Sequence, residues 1–382
     1  MQHVDNLIIG AGPAGLAVAG RFRKRRIPFE VLERSDRFAV AWHNHYDRLC
    51  LHTVKELSHL PHLPFPNNYP RYVPRDKFAE YCAQYAQHFS IRPHFNQEVN
   101  LIQRQGDQWQ VRTRQEQEWL AERVIVATGV NRVPFWPEWP GQGDFSGTIA
   151  HSRGYKNPKP YLGKRVLIVG MGNTGAEVAL DMAEHNVDVT LSVRSAVNIV
   201  PRDINGRPTQ LTAKILAKFP FGLGDWLGTQ IRKWVVGDLS RYGLRTATIP
   251  PARQLRETGK TPVIDLGTVN LIKAGKIRVI PDIDHFTQNG IVDSSGKTHT
   301  FDAVLLATGY RAQVEDFLED TSGLLDQHGV PKEPVGHGPY SGLYFVGFDN
   351  YKLGGILGTI FTDSAVVANH IEQKAAISTA SI

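Results

Sequence analysis

The stretch LIIGAGPAGLAVAG, Leu7 to Gly20, decides how the rest of the chain is read. Residues Asn6 to Ile9 form a short buried strand, Gly10, Gly12 and Gly15 follow at the spacing G-x-G-x-x-G, and Leu16 to Arg26 form a helix. Each glycine has its own task. The first permits the tight turn, the second lets a pyrophosphate approach the backbone at the helix N-terminus, and the third lets helix and strand pack closely. PFEVLER then reads as a second strand ending in Glu33, 23 residues after Gly10, placed to accept hydrogen bonds from a ribose hydroxyl pair. A lone glycine motif is weak evidence, but strand, motif, helix, strand and terminal acid in this order mark a dinucleotide-binding unit.

The arrangement recurs. Arg165 to Val169 form an apolar strand, GMGNTG supplies Gly170, Gly172 and Gly175, a helix runs to about His185, and VDVTLSVRS forms the next strand. The residue 24 positions after Gly170 is Arg194, where the first unit has an acid. A guanidinium there suits the 2′-phosphate of NADP, which a carboxylate would repel; the alternative is a solvated loop cation. Two fingerprints of different terminal chemistry imply two dinucleotides, FAD at the first and NADPH at the second. ERVIVATGV (Glu122 to Val130) and FDAVLLATGY (Phe301 to Tyr310) are both apolar strands returning to an Ala-Thr-Gly turn. GLYFVGFDN ends a strand near Gly347 and Asp349, and LGGILGT from Leu353 begins a helix whose N–H groups point at the edge of a flavin ring. The expected fold is therefore α/β with two dinucleotide-binding (Rossmann-like) domains. Residues 1–158 and 299–382 form the FAD domain, and the NADPH domain, residues 159–298, is inserted into it. TRQEQEWL near Thr113 and TQNGIVDSSGKTH near Thr287 read as polar hairpins without cofactor motifs.

Composition agrees with this organisation and removes competitors. With 382 residues, 41% hydrophobic and 21% charged, the chain is long enough for two or three well-buried cores. The two cysteines, Cys50 and Cys82, make no C-x-x-C pair, which fits a reducing, cytoplasmic setting and argues against dithiol redox chemistry. The net charge of +6 and the run RFRKRR (Arg21 to Arg26) invite a nucleic-acid reading. Those cations end the first helix, where they complement its dipole, so no nucleic-acid partner is expected. No apolar stretch reaches the roughly 18 residues needed to cross a bilayer, so no membrane partner is expected either. The histidines His43, His45, His52, His59 and His62 lack closely spaced Cys or carboxylate partners, so no metal is expected.

Between the fingerprints lies FSGTIAHSRGY, in which Phe145, Gly147, His151 and Tyr155 are spaced F-x-G-x-x-x-H-x-x-x-Y. With GAGPAG, GMGNTG and ATGY, this linker resembles that of the class B flavin monooxygenases. YDRLCLHTVKELSHLPHLPFP, YVPRDKFAEYCAQYA, GDLSRYGLR and ETGKTPVIDLG are similar to the YUCCA branch of that family, over about residues 5 to 370. The resemblance implies hydride transfer from NADPH to FAD, addition of molecular oxygen to give a flavin 4a-hydroperoxide, and oxygenation of a small organic substrate. An aryl-pyruvate such as indole-3-pyruvate, losing carbon dioxide to leave indole-3-acetate, is the branch's reaction. It also implies that His151 acts through the linker's conformation more than by proton transfer; the alternative is that His151 and Tyr155 pack an interface.

The residues expected to contact the cofactors are Gly10, Gly12, Pro13, Ala14, Gly15, Glu33, Arg34, Trp42, Thr128, Gly129, Gly170, Gly172, Asn173, Thr174, Gly175, Arg194, Thr308, Gly309 and Asp349. The expected catalytic group is His151, Tyr155 and Lys55. Lys55 or Arg202 pairs with a substrate carboxylate, or is a surface or cofactor-facing cation. LHTVKE departs from the branch's LHLPKQ, keeping Leu51, His52 and Lys55, which leaves the substrate open. The aromatic segment from Leu211 to Trp234, with Phe219, Phe221 and Trp226, lines the pocket or forms a helical lid. Amine or sulfide oxygenation and Baeyer–Villiger chemistry use the same cofactors. A flavin disulfide reductase, an NADPH oxidase and a non-enzymatic NADPH-binding regulator are the readings from other classes, and the oligomeric state is monomer or homodimer.

Overall fold

The computed structural model describes residues 1–349 and 354–380, with the side chains of residue 221 and of residues 375–380 outside that description. Asn350 and Leu353, parts of the expected C-terminal strand end and helix start, lie outside the described residues. The chain divides into two compact units, Met1–Asn44 with Thr53–Val133 and Tyr310–Ile382, and His45–His52 with Pro134–Gly309. In chain order the first unit begins with β1 (Gln2–Ile9), α1 (Pro13–Arg25), β2 (Glu30–Leu32), α2 (Arg75–His88), β3 (Val99–Gln105), β4 (Gln108–Thr113) and β5 (Glu118–Val126). The second supplies β6 (Thr148–His151), β7 (Arg165–Val169), α3 (Asn173–Glu184), β8 (Asp188–Ser192), α4 (Thr209–Leu216), α5 (Phe221–Val236), β9 (Ile277–Ile280) and β10 (Ala303–Leu306). The first unit resumes with β11 (Leu343–Phe345) and α6 (Gly355–Ala380).

The first unit is built on a sheet in the order β2-β1-β5-β4-β3, with β11 paired to the end of β5. β1, β2, β5 and β11 are parallel, whereas β3, β4 and β5 form an antiparallel meander, so TRQEQEWL does turn between two strands. Leu7, Ile9, Val124 and Val126 are buried because parallel strands are covered on both faces, which is why these runs are continuously apolar. α1 is short-chained on its packing side for the same reason. Residues Ala14 to Phe22 are all buried, Arg23, Lys24 and Arg25 fill the last turn, and Arg26 ends the helix at φ 57°. The buried Arg21 donates from Nε to Ser364 Oγ at 3.0 Å and from Nη2 to the Phe361 carbonyl, which ties α1 to α6.

The second unit holds a fully parallel sheet in the order β9-β8-β7-β10-β6. Its strand order and the compact units differ from the expected domain bounds. β10, expected in the first domain, lies at the heart of this sheet, where Leu306 pairs with Val169 on one side and His151 on the other. Residues 134–158 and 299–309 therefore belong to the second compact unit, as does the segment His45–His52. An apolar AVLL run satisfies any buried parallel sheet equally well, so its own sequence does not choose between the two. The segment TQNGIVDSSGKTH forms the last part of a small antiparallel sheet of Ile283–Thr287, Gly290–Asp293 and Thr298–Thr300, as its turn residues indicate. α4 and α5 are helical, and Leu211, Ile215, Phe219, Leu223, Trp226 and Trp234 stand exposed on them or between them. No helix among the described residues is long and apolar enough to cross a membrane.

Gly20 shows how tightly the first unit is packed, because a Cβ placed there would collide with the hydroxyl of Tyr85 on α2. Gly20→Val is expected to lower stability by about 1–3 kcal/mol through overpacking. Thermal denaturation should show a Tm lower by several degrees, with a smaller loss when Tyr85→Phe removes the colliding hydroxyl; an unchanged Tm would refute this packing.

Candidate functional site

In the first unit, the peptide N–H of Gly10 donates to the Leu32 carbonyl at 2.7 Å, which locks the loop beside the end of β2. Gly10 has φ 109°, and a Cβ there would sit 2.8 Å from the Ala127 carbonyl oxygen. Gly15 lies so close to the Gly10 carbonyl that no side chain fits between helix and strand. Gly12 faces open space and is the N-cap of α1, with no side-chain cap and Pro13 in the first turn. The first-turn N–H groups of α1 therefore lack the capping hydroxyl or carboxylate that most helices carry. Glu33, buried directly after β2, accepts the Ala11 N–H at 2.7 Å and the Ser35 N–H and hydroxyl on its other oxygen. Its carboxylate thus braces the loop between the glycine turn and Ser35. Thr128 Oγ1, in the first Ala-Thr-Gly turn, is buried with no hydrogen-bond partner. An open glycine cradle, an uncapped helix end and an unsatisfied buried hydroxyl fit a bound pyrophosphate-linked dinucleotide.

Among the other residues expected at this site, Ala14 is buried and faces Gly347, whose N–H donates to the buried Asp363 carboxylate at 3.2 Å. Trp42 is half-buried, with its ring centroid 4.3 Å from that of Phe78. Arg34 is exposed, Gly129 takes φ 81°, and the Asp349 carbonyl accepts the Thr359 hydroxyl. Lys55 is held by the backbone of its own loop. Its ammonium donates to the Asn67 and Tyr69 carbonyls at 2.9 and 2.7 Å, which commits it to bracing its own loop.

The second unit repeats the glycine geometry. Gly170 has φ 101°, with a Cβ 2.8 Å from the Ala307 carbonyl oxygen; Gly175 lies against the Gly170 carbonyl, and Gly172 is an open, uncapped N-cap. Asn173 Oδ1 accepts the Ile264 N–H at 2.7 Å, which fixes the start of α3, and Thr174 is half-buried beside it. Arg194 is exposed just past β8; its carbonyl accepts from Arg245, and its guanidinium has no partner among the described residues. This cradle too fits a pyrophosphate, with a cation at the far end of β8. Arg202 differs, since its Nε donates to Asp203 Oδ2 at 3.2 Å.

Linker residues and the second Ala-Thr-Gly turn interlock within the same unit. Thr308 donates its hydroxyl to the Phe135 carbonyl at 2.6 Å, so it holds backbone where Thr128 stays unsatisfied. His151 is buried, at the end of β6, with Nε2 3.1 Å from the Gly309 carbonyl and Nδ1 accepting the Arg153 N–H at 3.1 Å. Those partners require the neutral tautomer protonated on Nε2. Burial pushes the His151 pKa down, against the pull of the Gly309 carbonyl, and the neighbouring Arg153 adds to the lowering. Phe145 packs on Phe286, and Gly147 is pressed between the Phe145 ring and the Asp302 carbonyl. Tyr155, only 1% exposed, donates its hydroxyl to Asp181 Oδ2 at 2.6 Å; burial foremost, then that carboxylate, pushes its pKa far up and keeps it protonated.

Sequence reasoning passed over the partners of this linker. Glu177 and Asp181, one turn apart on α3, are 3% and 5% exposed on a helix that is otherwise apolar on its buried side. Glu177 Oε2 accepts the Tyr46 hydroxyl at 2.8 Å and lies 3.0 Å from His52 Nε2, whereas Arg48 reaches Asp181 and Glu184 at 3.3 and 2.7 Å. Segment 45–52 is thus strapped to the helix that carries the second fingerprint. The available signal was the pair of acids at i and i+4 inside NTGAEVALDMAE, where a buried stripe calls for apolar residues.

The protonation of His151 has a measurable consequence. A folded-state pKa below the ordinary 6.5 means that the unfolded chain takes up this proton first as pH falls, so the stabilisation is present above 6.5 and lost as pH drops through the folded value. Denaturant melts at pH 7.5 and 5.5 should show a stability loss that His151→Gln reduces; an equal loss in both proteins would exclude His151 as its source.

Known proteins agree with this geometry. The sequence profile of the flavin-binding monooxygenase-like family matches residues 8–328. The chain is 38% identical over 382 residues to the probable indole-3-pyruvate monooxygenase YUCCA7 of Arabidopsis thaliana, covering 96% of this chain and 88% of that protein. It is 38% identical over 371 residues to the indole-3-pyruvate monooxygenase YUCCA1 of Oryza sativa subsp. japonica, covering 96% and 90%. The flavin-containing monooxygenase from Stenotrophomonas maltophilia shares the fold with a TM-score of 0.76 at 21% identity, over 98% of this chain and all of that one. With a match over most of its length, the chain belongs to the flavin-binding monooxygenase-like family and is an NADPH-dependent flavin monooxygenase that uses FAD.

Proposed function

We propose that the protein converts an aryl-pyruvate, with indole-3-pyruvate as the assigned substrate, to the acid one carbon shorter. The observation that carries this reading is the 38% identity to indole-3-pyruvate monooxygenases over 96% of the chain. The balance is one keto acid, one O2, one NADPH and one proton giving one indole-3-acetate, one carbon dioxide, one water and NADP+. Bound FAD, reduced by NADPH, supplies the activated oxygen.

The chain's own residues bind, orient and insulate. On this reading the first unit is the FAD domain, with Gly10, Gly12, Pro13, Ala14 and Gly15 around the pyrophosphate, Glu33 at the ribose, and Arg34, Trp42, Thr128, Gly129 and Asp349 as further contacts. The open Gly12 and the unsatisfied Thr128 hydroxyl support that assignment. The inserted second unit is the NADPH domain, with Gly170, Gly172, Asn173, Thr174 and Gly175 around the second pyrophosphate and Arg194 at the 2′-phosphate. Its supports are the open Gly172 and the solvent-facing Arg194 guanidinium. Thr308 and Gly309 serve the linker: one hydroxyl holds Phe135, one carbonyl receives His151. His151 and Tyr155 are positioning residues, since one is a neutral imidazole held between two backbone groups and the other a protonated phenol held by a carboxylate. Neither is arranged to exchange a proton with a substrate, and both keep linker geometry fixed while a cofactor is handed across.

Purified holoenzyme should consume NADPH and O2 in a 1:1 ratio with indole-3-acetate formed from indole-3-pyruvate. NADPH consumption without the acid, accompanied by oxygenation of a thioether or an amine, would replace the keto-acid reading with an S- or N-oxygenase. Arg194→Ala should raise KM for NADPH about tenfold or more while moving KM for NADH less than twofold, because only NADPH carries the phosphate. An equal effect on both nucleotides would remove Arg194 from the phosphate site.

A further inference from the structure

The second unit contains a cleft that neither fingerprint uses. It has a volume of about 380 Å³ and is walled by Val197, Ile199, Val236, Leu239 and Leu244, with Arg232 among them. None of the glycines of the second fingerprint lines it, and neither does Arg194. Its volume falls at the small end of the roughly 300–1,000 Å³ typical of small-molecule sites.

Arg232, in the last turns of α5, is 7% exposed. Its Nη1 donates to Asn198 Oδ1 and, more weakly, to the Ala247 carbonyl at 3.4 Å. Asn198, itself 2% exposed, is held by the Ile249 carbonyl at 2.9 Å and by Gln254, so a satisfied polar network fixes the guanidinium from behind. Arg232 has no carboxylate partner among the described residues, and burial alone lowers its pKa. Nearby acids are engaged elsewhere: Asp225 pairs with Arg256, and Asp238 at the cleft's edge accepts the N–H and hydroxyl of Ser240. The C-terminal end of α5 offsets only about half a charge, and Lys273 already donates to its last carbonyl at 2.8 Å. A buried, uncompensated cation is costly, by an amount that an anion in bidentate contact with a guanidinium relieves.

The occupant's chemistry follows from the walls. One buried cation suits one negative charge, the planar guanidinium suits a carboxylate, and the five aliphatic side chains suit an aromatic or branched hydrocarbon body. The exposed Lys233 and Arg245 at the edge favour approach of an anion. We propose that this cleft is a second ligand site, binding a small aryl- or branched-alkyl carboxylate through Arg232. Its lining holds neither the glycines of the second fingerprint nor Arg194, although Arg245 at its edge donates to the Arg194 carbonyl, and the proposal does not rest on the keto-acid reading of the reaction.

The test is binding without turnover. Holoenzyme saturated with NADP+ is titrated calorimetrically with indole-3-acetate, and in parallel with the neutral indole-3-acetamide and with inorganic phosphate. The wild type should bind one more equivalent of indole-3-acetate than either Arg232→Gln, which removes the cation, or Val236→Trp, which fills the cleft and keeps the cation. Indole-3-acetamide should bind this site at least tenfold more weakly, and both variants should keep the wild-type KM for NADPH. Equal stoichiometry in the wild type and a folded variant would overturn the proposal. So would phosphate binding at this site as tight as that of the carboxylate, which would assign the cleft to a phosphate group. Failure of indole-3-pyruvate turnover would leave the binding result standing and would count only against the proposed reaction.

Discussion

Both units depend on a contact that no side chain can enter: Gly15 lies against the carbonyl of Gly10, and Gly175 against that of Gly170. This brings the first helix of each unit directly onto its strand and aims the helix's leading N–H groups past the strand's end. An ordinary helix would cover those groups with a Ser, Thr, Asp or Asn side chain worth about 1 kcal/mol. Here Gly12 and Gly172 provide no cap, and neither helix has an acid in its first turn. The stability given up at each helix end leaves N–H groups that an acceptor arriving from outside, such as a pyrophosphate, would satisfy.

From that shared geometry the two units diverge at the turn beyond the central strand. Each sheet has an Ala-Thr-Gly turn beside its glycine loop, with Ala127 against Gly10 in one and Ala307 against Gly170 in the other. The hydroxyl of Thr128 is buried without a partner, whereas that of Thr308 holds Phe135 and the next carbonyl holds both Phe135 and His151. One turn stays open to a ligand and the other anchors the chain between the fingerprints. The spacing of His151 and Tyr155 then has a physical cause. His151 ends β6 at the level of β10's last residue, and Tyr155, four residues on, reaches Asp181 on α3. The motif fixes the linker at two points of one sheet-and-helix frame.

The parts of this arrangement that depend on neighbours in sequence were legible from sequence. Strand, glycine loop, helix and terminal Glu33 or Arg194 follow one another within about 25 residues, and each has a distinctive residue type. The antiparallel hairpins were equally readable from their turns. Domain limits were not, because β10 pairs with strands some 140 and 155 residues earlier and its fully apolar sequence suits either sheet. Segment 45–52 was illegible for a related reason. YDRLCLH has no helical or strand period, and its Tyr46, Arg48 and His52 find their partners more than 120 residues away on α3. The partners of Lys55 were not legible either, because a lysine's type does not reveal that two backbone carbonyls of its own loop receive it.

Buried charge separates the structural groups of the second unit from the one that awaits a partner. Glu177 and Asp181 are as buried as Arg232, yet each is surrounded by donors: Tyr46 and His52 for one, Tyr155 and Arg48 for the other. Their desolvation is offset inside the fold, so their role is complete without a ligand. Arg232 has a comparable loss of hydration and receives only neutral oxygens, while an apolar cleft opens beside it. A fold that pairs Glu177 and Asp181 so fully would gain by pairing this cation as well, and the acids of α5 and the cleft's edge, Asp225 and Asp238, are held by Arg256 and Ser240. The unmatched charge is therefore better explained by an anion that comes and goes than by the packing of the unit.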